Sequence, residues 1–199
     1  MTAFLYPSQA RGRRHGPQRY AGVESYRPWL RDEFAFRCVY CLLREQWSRV
    51  VGTFDIDHFL PVALHPEQER TYDNLLYACA TCNAVKGKSA VPNPMTVLVD
   101  PSVRIAEDGA IHAEATEAAR LIELLGLDSP QSTEFRLLWI GIVALAERYD
   151  PSLYRRLMGF PDDLPDLKRL RPPGGNTRPE GVNTSFFIRR QDGTLSPTY

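Results

Sequence analysis

Two groups of residues in the first half of the chain have the types and spacing to do chemistry. The first is a pair of Cys-x-x-Cys turns, Cys38/Cys41 and Cys79/Cys82, which together hold all four cysteines of the chain. Each short turn lets two sulfurs converge, so the two pairs can supply four thiolates to one tetrahedral zinc ion. Four thiolates leave zinc no open position, which makes this expected site structural. The N-terminal charges are followed by no apolar h-region, so no signal peptide is expected. A reducing compartment then favours metal ligation over a disulfide framework. The competing reading is two redox-active dithiols or plain buried cysteines.

The second group lies within and just beyond the stretch between the pairs. Positions 42–78, 37 residues, separate them, against about 15–20 in a simple zinc ribbon. Something larger is therefore folded between the knuckles, and its ends are clipped together by the metal. It contains Phe54-Asp-Ile-Asp-His-Phe-Leu-Pro61 and Asp73-Asn74-Leu75, and Asn83, Lys86 and Gly87 follow the last knuckle. Phosphodiester hydrolysis needs an activated water, a Lewis acid at the phosphate and a stabilised leaving oxygen. An imidazole titrates near neutrality and can take a proton from water. A carboxylate and an amide oxygen are hard ligands suited to magnesium or manganese. Asp57, His58 and Asn83 offer these groups. Lys86, three residues after Asn83, shares a helix face with it and is placed to contact a phosphate. In a regular strand Asp57 and His58 face opposite sides, so one site can use both only if the chain bends there; Pro61 is compatible with a bend, and if the strand runs straight one of the two roles fails. Asp55 orients the site or lies on the surface. His65 and His112 have no such company.

The order Cys-x-x-Cys, Asp-His-x-x-Pro, Asn-Leu, Cys-x-x-Cys-Asn-x-x-Lys-Gly resembles the HNH endonucleases with a ββα-metal core, over about residues 34–89. The resemblance implies that His58 is the general base, that Asp57 and Asn83 bind a catalytic metal (magnesium or manganese), and that Asn74 steadies the loop carrying the base. The final motif position is often His in that family and is Asn83 here. The resemblance also implies DNA as substrate. Some members with C-terminal helical extensions work beside an ATPase in bacterial anti-phage defence, and the acidic helical region 114–158 is somewhat similar to theirs. On that likeness the chain is expected in the bacterial cytoplasm, with a protein partner such as an ATPase subunit docked through the C-terminal extension.

These residues need elements to hold them. The chain reads as α+β: a zinc-clipped ββα-metal core with an N-terminal basic arm and a C-terminal, mainly helical extension. The boundaries expected are 1–27 for the arm, 28–94 for the nuclease core, 95–160 for a hairpin plus helices, and 161–199 for a Pro/Gly-rich tail, extended or partly disordered. A helix is expected from about Pro28, with Trp29, Leu30, Phe34 and Phe36 supplying its buried side. Val50 to Phe59 is strand-like, and Asn83 to Lys88 starts a helix. Met95 to Val99 is a strand candidate. Glu107-Asp-Gly109 joins a β-hairpin. Glu114 to Leu125 is an amphipathic helix with Leu121, Ile122, Leu124 and Leu125 inward, stopped near Gly126. Ser129-Pro130 and Asp150-Pro151 each read as an N-cap with Pro at the first helical position. Leu137 to Ala146 is wholly apolar. It is too short to cross a bilayer, which takes about 20 residues, and so reads as a buried helix. Ser185 to Arg190 is a short strand or docking segment.

The net charge is zero, but its distribution is uneven. Residues 1–37 hold seven Arg against three acids, whereas residues 91–150 hold four basic and ten acidic groups. A polyanion is attracted to the ends and repelled by the middle. Arg11, Arg13 and Arg14 in the arm, with Lys86 and Lys88 after the second knuckle, are the expected nucleic-acid contacts, though solvated surface explains charge of this kind equally well. Besides an endonuclease, the sequence admits a zinc-organised nucleic-acid-binding module without catalysis, or a structural subunit that docks a partner.

Overall fold

The computed structural model describes residues 3–10, 12–48 and 54–199. Part of the expected Val50 strand, residues 50–53, and Arg11 of the basic arm lie outside the described residues. The centre of the molecule is a two-stranded antiparallel sheet, β1 (Phe54–His58) and β2 (Leu75–Cys79), followed directly by helix α2 (Ala80–Lys86). β2 is buried along its whole length, with Leu75 and Tyr77 on one face and Leu76 and Ala78 on the other. Helix α1 (Arg27–Glu33) begins with Pro28 near its N-terminus and covers the first face with Trp29 and Leu30. α2 packs on the other face and ends at Gly87, whose φ of 51° is left-handed.

The extension packs on the same second face. It contains α3 (Pro94–Val97), a hairpin of β3 (Val103–Ile105) and β4 (Ile111–Ala113), and helices α4 (Thr116–Leu124), α5 (Pro130–Tyr149) and α6 (Pro151–Met158). Leu98, Val103, Leu121, Ile122, Val143 and Met158 share one core with Leu76 and Ala78. The caps act as the sequence indicates. Ser129 accepts from the Ser132 N–H, and Asp150 from those of Ser152 and Leu153. Trp47 clamps the helices to the first knuckle. Its ring stacks on Trp139 at 4.3 Å and its Nε1 donates to the Leu157 carbonyl at 2.9 Å.

Four expectations need correction. Met95–Val99 is not a strand: Asn93 caps a helical turn through the Met95 N–H, Pro94 pre-sets its first dihedral, and no strand among the described residues pairs with it. Leu124, expected inward, is exposed, because the face that buries Leu121, Ile122 and Leu125 leaves it on the rim. The apolar run in α5 is helical but not buried: only Arg136, Val143 and Ala146 of that helix are enclosed. Finally, residues 161–199 are not an extended tail. They carry α7 (Glu180–Asn183) and α8 (Phe186–Gln191), and Phe186, Phe187, Leu195 and Tyr199 pack around Phe36, Phe160 and Leu164. Six prolines prevent long helices there, but a buried aromatic cluster supplies the order.

The N-terminal arm is irregular in backbone yet tied down at the C-terminal end of α1. Asp32, fully buried, accepts from His15 Nε2 at 2.9 Å, Arg14 at 2.6 Å and the Phe186 N–H at 2.8 Å. Glu33 accepts from the N–H groups of Arg14 and His15 and from the Tyr72 hydroxyl. Two adjacent acids of one short helix thus fasten the arm and the C-terminal segment to the central sheet.

Candidate active site

The sulfurs of Cys38, Cys41, Cys79 and Cys82 lie within 4.8 Å of one another, and Cys41 Sγ is 3.6 Å from Cys79 Sγ. A tetrahedral zinc with bonds of about 2.3 Å needs sulfurs about 3.8 Å apart, so the set fits that ion. The first pair sits in a tight hairpin closed by Cys38 N–H to the Leu43 carbonyl and pinned to β2 by Val39 N–H to the Tyr77 carbonyl. The second pair straddles the start of α2, where Cys79 is the N-cap and its sulfur accepts the Cys82 N–H. The three neighbouring thiols hold Cys79 well below the ordinary thiol range, whereas burial pushes Cys38 up. A divalent cation would stabilise all four as thiolates.

β1 projects the rest of the site. Its ladder is regular from Phe54↔Cys79 to His58↔Leu75, and Phe59 N–H continues it to the Asn74 carbonyl at 2.8 Å. The bend at Asp57 on which a shared site for Asp57 and His58 depends is therefore absent. The strand runs straight through His58, and the chain turns only after Phe59. Asp57 and His58 consequently leave opposite faces of β1.

On the α2 face, two carboxylates two residues apart in the strand meet two side chains one helical turn apart. Asn83 Nδ2 donates to Asp55 Oδ2 at 3.1 Å, and Lys86 Nζ donates to Asp57 Oδ1 at 2.8 Å. Lys86 also donates to the His58 carbonyl at 2.6 Å. The second Asp57 oxygen accepts the Tyr40 hydroxyl at 2.6 Å. Burial and the adjacent Asp57 carboxylate push the Tyr40 phenol well up, so it remains a donor. Both members of the Lys86–Asp57 pair are buried.

On the opposite side His58 Nε2 lies 2.9 Å from the Glu69 carbonyl oxygen. A carbonyl only accepts, so Nε2 carries the hydrogen, and the lone pair of a neutral ring lies on Nδ1. The loop between is locked by Asn74, which is buried. Its Oδ1 accepts the Leu60 N–H at 2.7 Å, and its Nδ2 donates to the carbonyls of Leu60 and Gln68.

The basic residues fall elsewhere. Arg13 lies under Phe34 and Tyr72 and donates to the carbonyls of Asp73 and Leu75. Arg14 is held by Asp32. Both are fastenings between arm and core, not a free cationic strand. Lys86 is interior and Lys88 is exposed. A polar cleft just beyond Glu69 is lined by Arg19, Arg70, Asp73 and Arg178, and Arg178 is paired with Asp73.

Asp55, read as orienting the site or lying on the surface, contacts Asn83, whereas Tyr40 and the Glu69 carbonyl were not foreseen as parts of the site. The period of two along Asp55-Ile-Asp57 was the available signal for Asp55. Nothing in the sequence pointed to the other two.

The family model for HNH endonuclease matches residues 38–89, about a quarter of the chain. That segment runs from the first knuckle through β1, β2 and α2, and so contains all four cysteines and Asp57, His58, Asn74 and Asn83. The chain thus carries an HNH domain, which implies a nuclease-type function. No curated protein matches the chain.

Proposed function

We propose that the protein is a metal-dependent endonuclease that hydrolyses DNA phosphodiester bonds, with His58 as the general base. The observation that carries this reading is the hydrogen bond from His58 Nε2 to the Glu69 carbonyl. It fixes the tautomer that leaves Nδ1 as acceptor, which is what proton abstraction from water requires. Asn74 is a positioning residue, since its three bonds hold the loop that sets the ring.

The donor set suits a hard divalent ion such as Mg2+ or Mn2+. Asp57 and Asn83 project from β1 and α2, which pack together, and the Lys86 ammonium already rests on Asp57 as a cation. When bound, such an ion would polarise the phosphate and stabilise the departing 3′ oxygen. Asp57 is too enclosed to take it while Lys86 stays, so the flexible lysine stem must swing out, and its ammonium is then free to neutralise a phosphate oxygen. With the strand straight, Asp57 and His58 face opposite sides; the reading rests on His58 as the base, and Asp57 shares its site only where the phosphate lies across the end of β1. Lys88 is exposed and free to meet the nucleic-acid backbone. Arg13 and Arg14 act only through the fold.

The test is supercoiled plasmid with magnesium or manganese, comparing wild type with His58→Ala, whose melting temperature and zinc content should match the wild type. Nicking by the wild type alone supports the reading. Equal nicking by both proteins removes His58 from the chemistry, and no nicking by either favours a non-catalytic nucleic-acid-binding module.

A further inference from the structure

Helix α5 has an outer face that stays largely exposed among the described residues. On an α-helix each residue advances about 100°. The buried residues Arg136, Val143 and Ala146 therefore cluster on one side, and Gly141 lies at the centre of the other. Around Gly141 are Leu137, Leu138 and Leu145, exposed by 48%, 60% and 62%. Ala144 lies beside them. A Cβ built on Gly141 would meet nothing within 4 Å. Three large aliphatic side chains around a bare glycine, on a helix already packed on its other side, form an apolar face of a kind monomers seldom expose.

The charges at its ends say what it fits. Glu134 and Arg148 each stand seven residues from Gly141, within about 20° of the same line. Neither forms an ion pair among the described residues. A two-fold axis at Gly141 therefore brings Glu134 opposite Arg148 of an antiparallel second helix, and Arg148 opposite its Glu134. The same operation sets Leu138 beside Leu145, Leu137 beside Ala144, and glycine against glycine, where the backbones can approach closely. The face is complementary to itself, as an isologous interface must be. Nucleic acid does not fit it, since residues 91–150 are predominantly acidic.

We propose that the exposed face of α5 is a dimer interface, in which two copies of this chain pair their α5 helices antiparallel about Gly141. The proposal does not rest on the nuclease reading. One helix of 20 residues spans about 30 Å, so the interface sits at the small end of specific interfaces.

The experiment is analytical ultracentrifugation of the zinc-loaded full chain across a concentration series. The wild type should shift from monomer to dimer. Glu134→Arg and Arg148→Glu, each alone, should weaken association at least tenfold, because each places like charges opposite one another. Mixed one to one, the two variants should form a heterodimer of near wild-type strength, since every facing pair is then opposite in sign. Leu138→Glu with Leu145→Glu should be monomeric, with unchanged circular dichroism and zinc content. A wild type monomeric at several hundred micromolar overturns the proposal. So does a dimer that survives the single changes, which places the interface elsewhere, or a mixture that fails to associate, which excludes the antiparallel register.

Discussion

Lys86→Met removes an ammonium from the interior while leaving the carboxylate it neutralises. The side chains of Lys86 and Asp57 are 1% and 4% exposed, so solvent cannot replace the lost partner. Tyr40 remains as a neutral donor to the other oxygen. Breaking a buried pair at one partner costs about 3–5 kcal/mol. In a chain of this length each kcal/mol moves the melting temperature by about 2–4 °C, so the expected fall is roughly 6–20 °C. The carboxylate then lacks a counter-ion that a divalent cation can supply. An ion at 100 times its Kd adds about 2.7 kcal/mol to the folded state. Manganese should therefore restore much of the melting temperature of Lys86→Met, and raise that of the wild type far less, because there the lysine competes for Asp57. Adding Asp57→Asn to Lys86→Met should cost less than Lys86→Met alone, since no unpaired charge is then buried. The measurement is thermal unfolding of zinc-loaded protein with and without manganese. If Lys86→Met melts within a degree of wild type, the pair is not a strut of the fold. If it melts low but manganese shifts both proteins equally, the ion does not go to Asp57 and the proposed ligand set is wrong.

Cys79→Ser should leave less than one zinc per chain by elemental analysis and abolish the cooperative melt, because that residue caps α2 and would also ligate the ion; a full zinc complement in this variant would contradict the four-thiolate site. Asn74→Ala leaves the Leu60 and Gln68 backbone groups without their partner, at about 1–3 kcal/mol. It should lower nicking with zinc content unchanged, and full activity would mean the loop holds His58 unaided. Deleting residues 161–199 uncovers Phe36 and Phe160. The truncated chain should melt well below the full one and bind a hydrophobic dye, whereas an unchanged melt would mean that segment is dispensable.

The parts legible in the sequence are those governed by local chemistry. The two Cys-x-x-Cys pairs, the Ser129 and Asp150 caps and the turn at Gly109 each depend on a few adjacent residues. The parts that were not legible depend on partners far away in the chain. Arg13 and Arg14 read as a free basic arm because Asp32, Glu33 and the carbonyls that hold them lie about 20 to 60 residues on. The segment after Phe160 read as extended or partly disordered from its prolines because its order comes from packing Tyr199 and Phe186 on Phe160. The α5 run read as buried because composition records how apolar a segment is and not which way it faces; period 3.6 separates Val143 and Ala146 inside from Leu138 and Leu145 outside. The same logic applies to Asp57 and His58. Alternation along β1 already required them to diverge, and the regular ladder keeps them apart. Whatever chemistry both perform must therefore happen at the strand's end, where the chain turns after Phe59 and where Asn74 and the Glu69 carbonyl converge on one loop. On the proposed reading, a base held through the Glu69 carbonyl on one side and a carboxylate paired with Lys86 on the other would come together only when cation and phosphate bind.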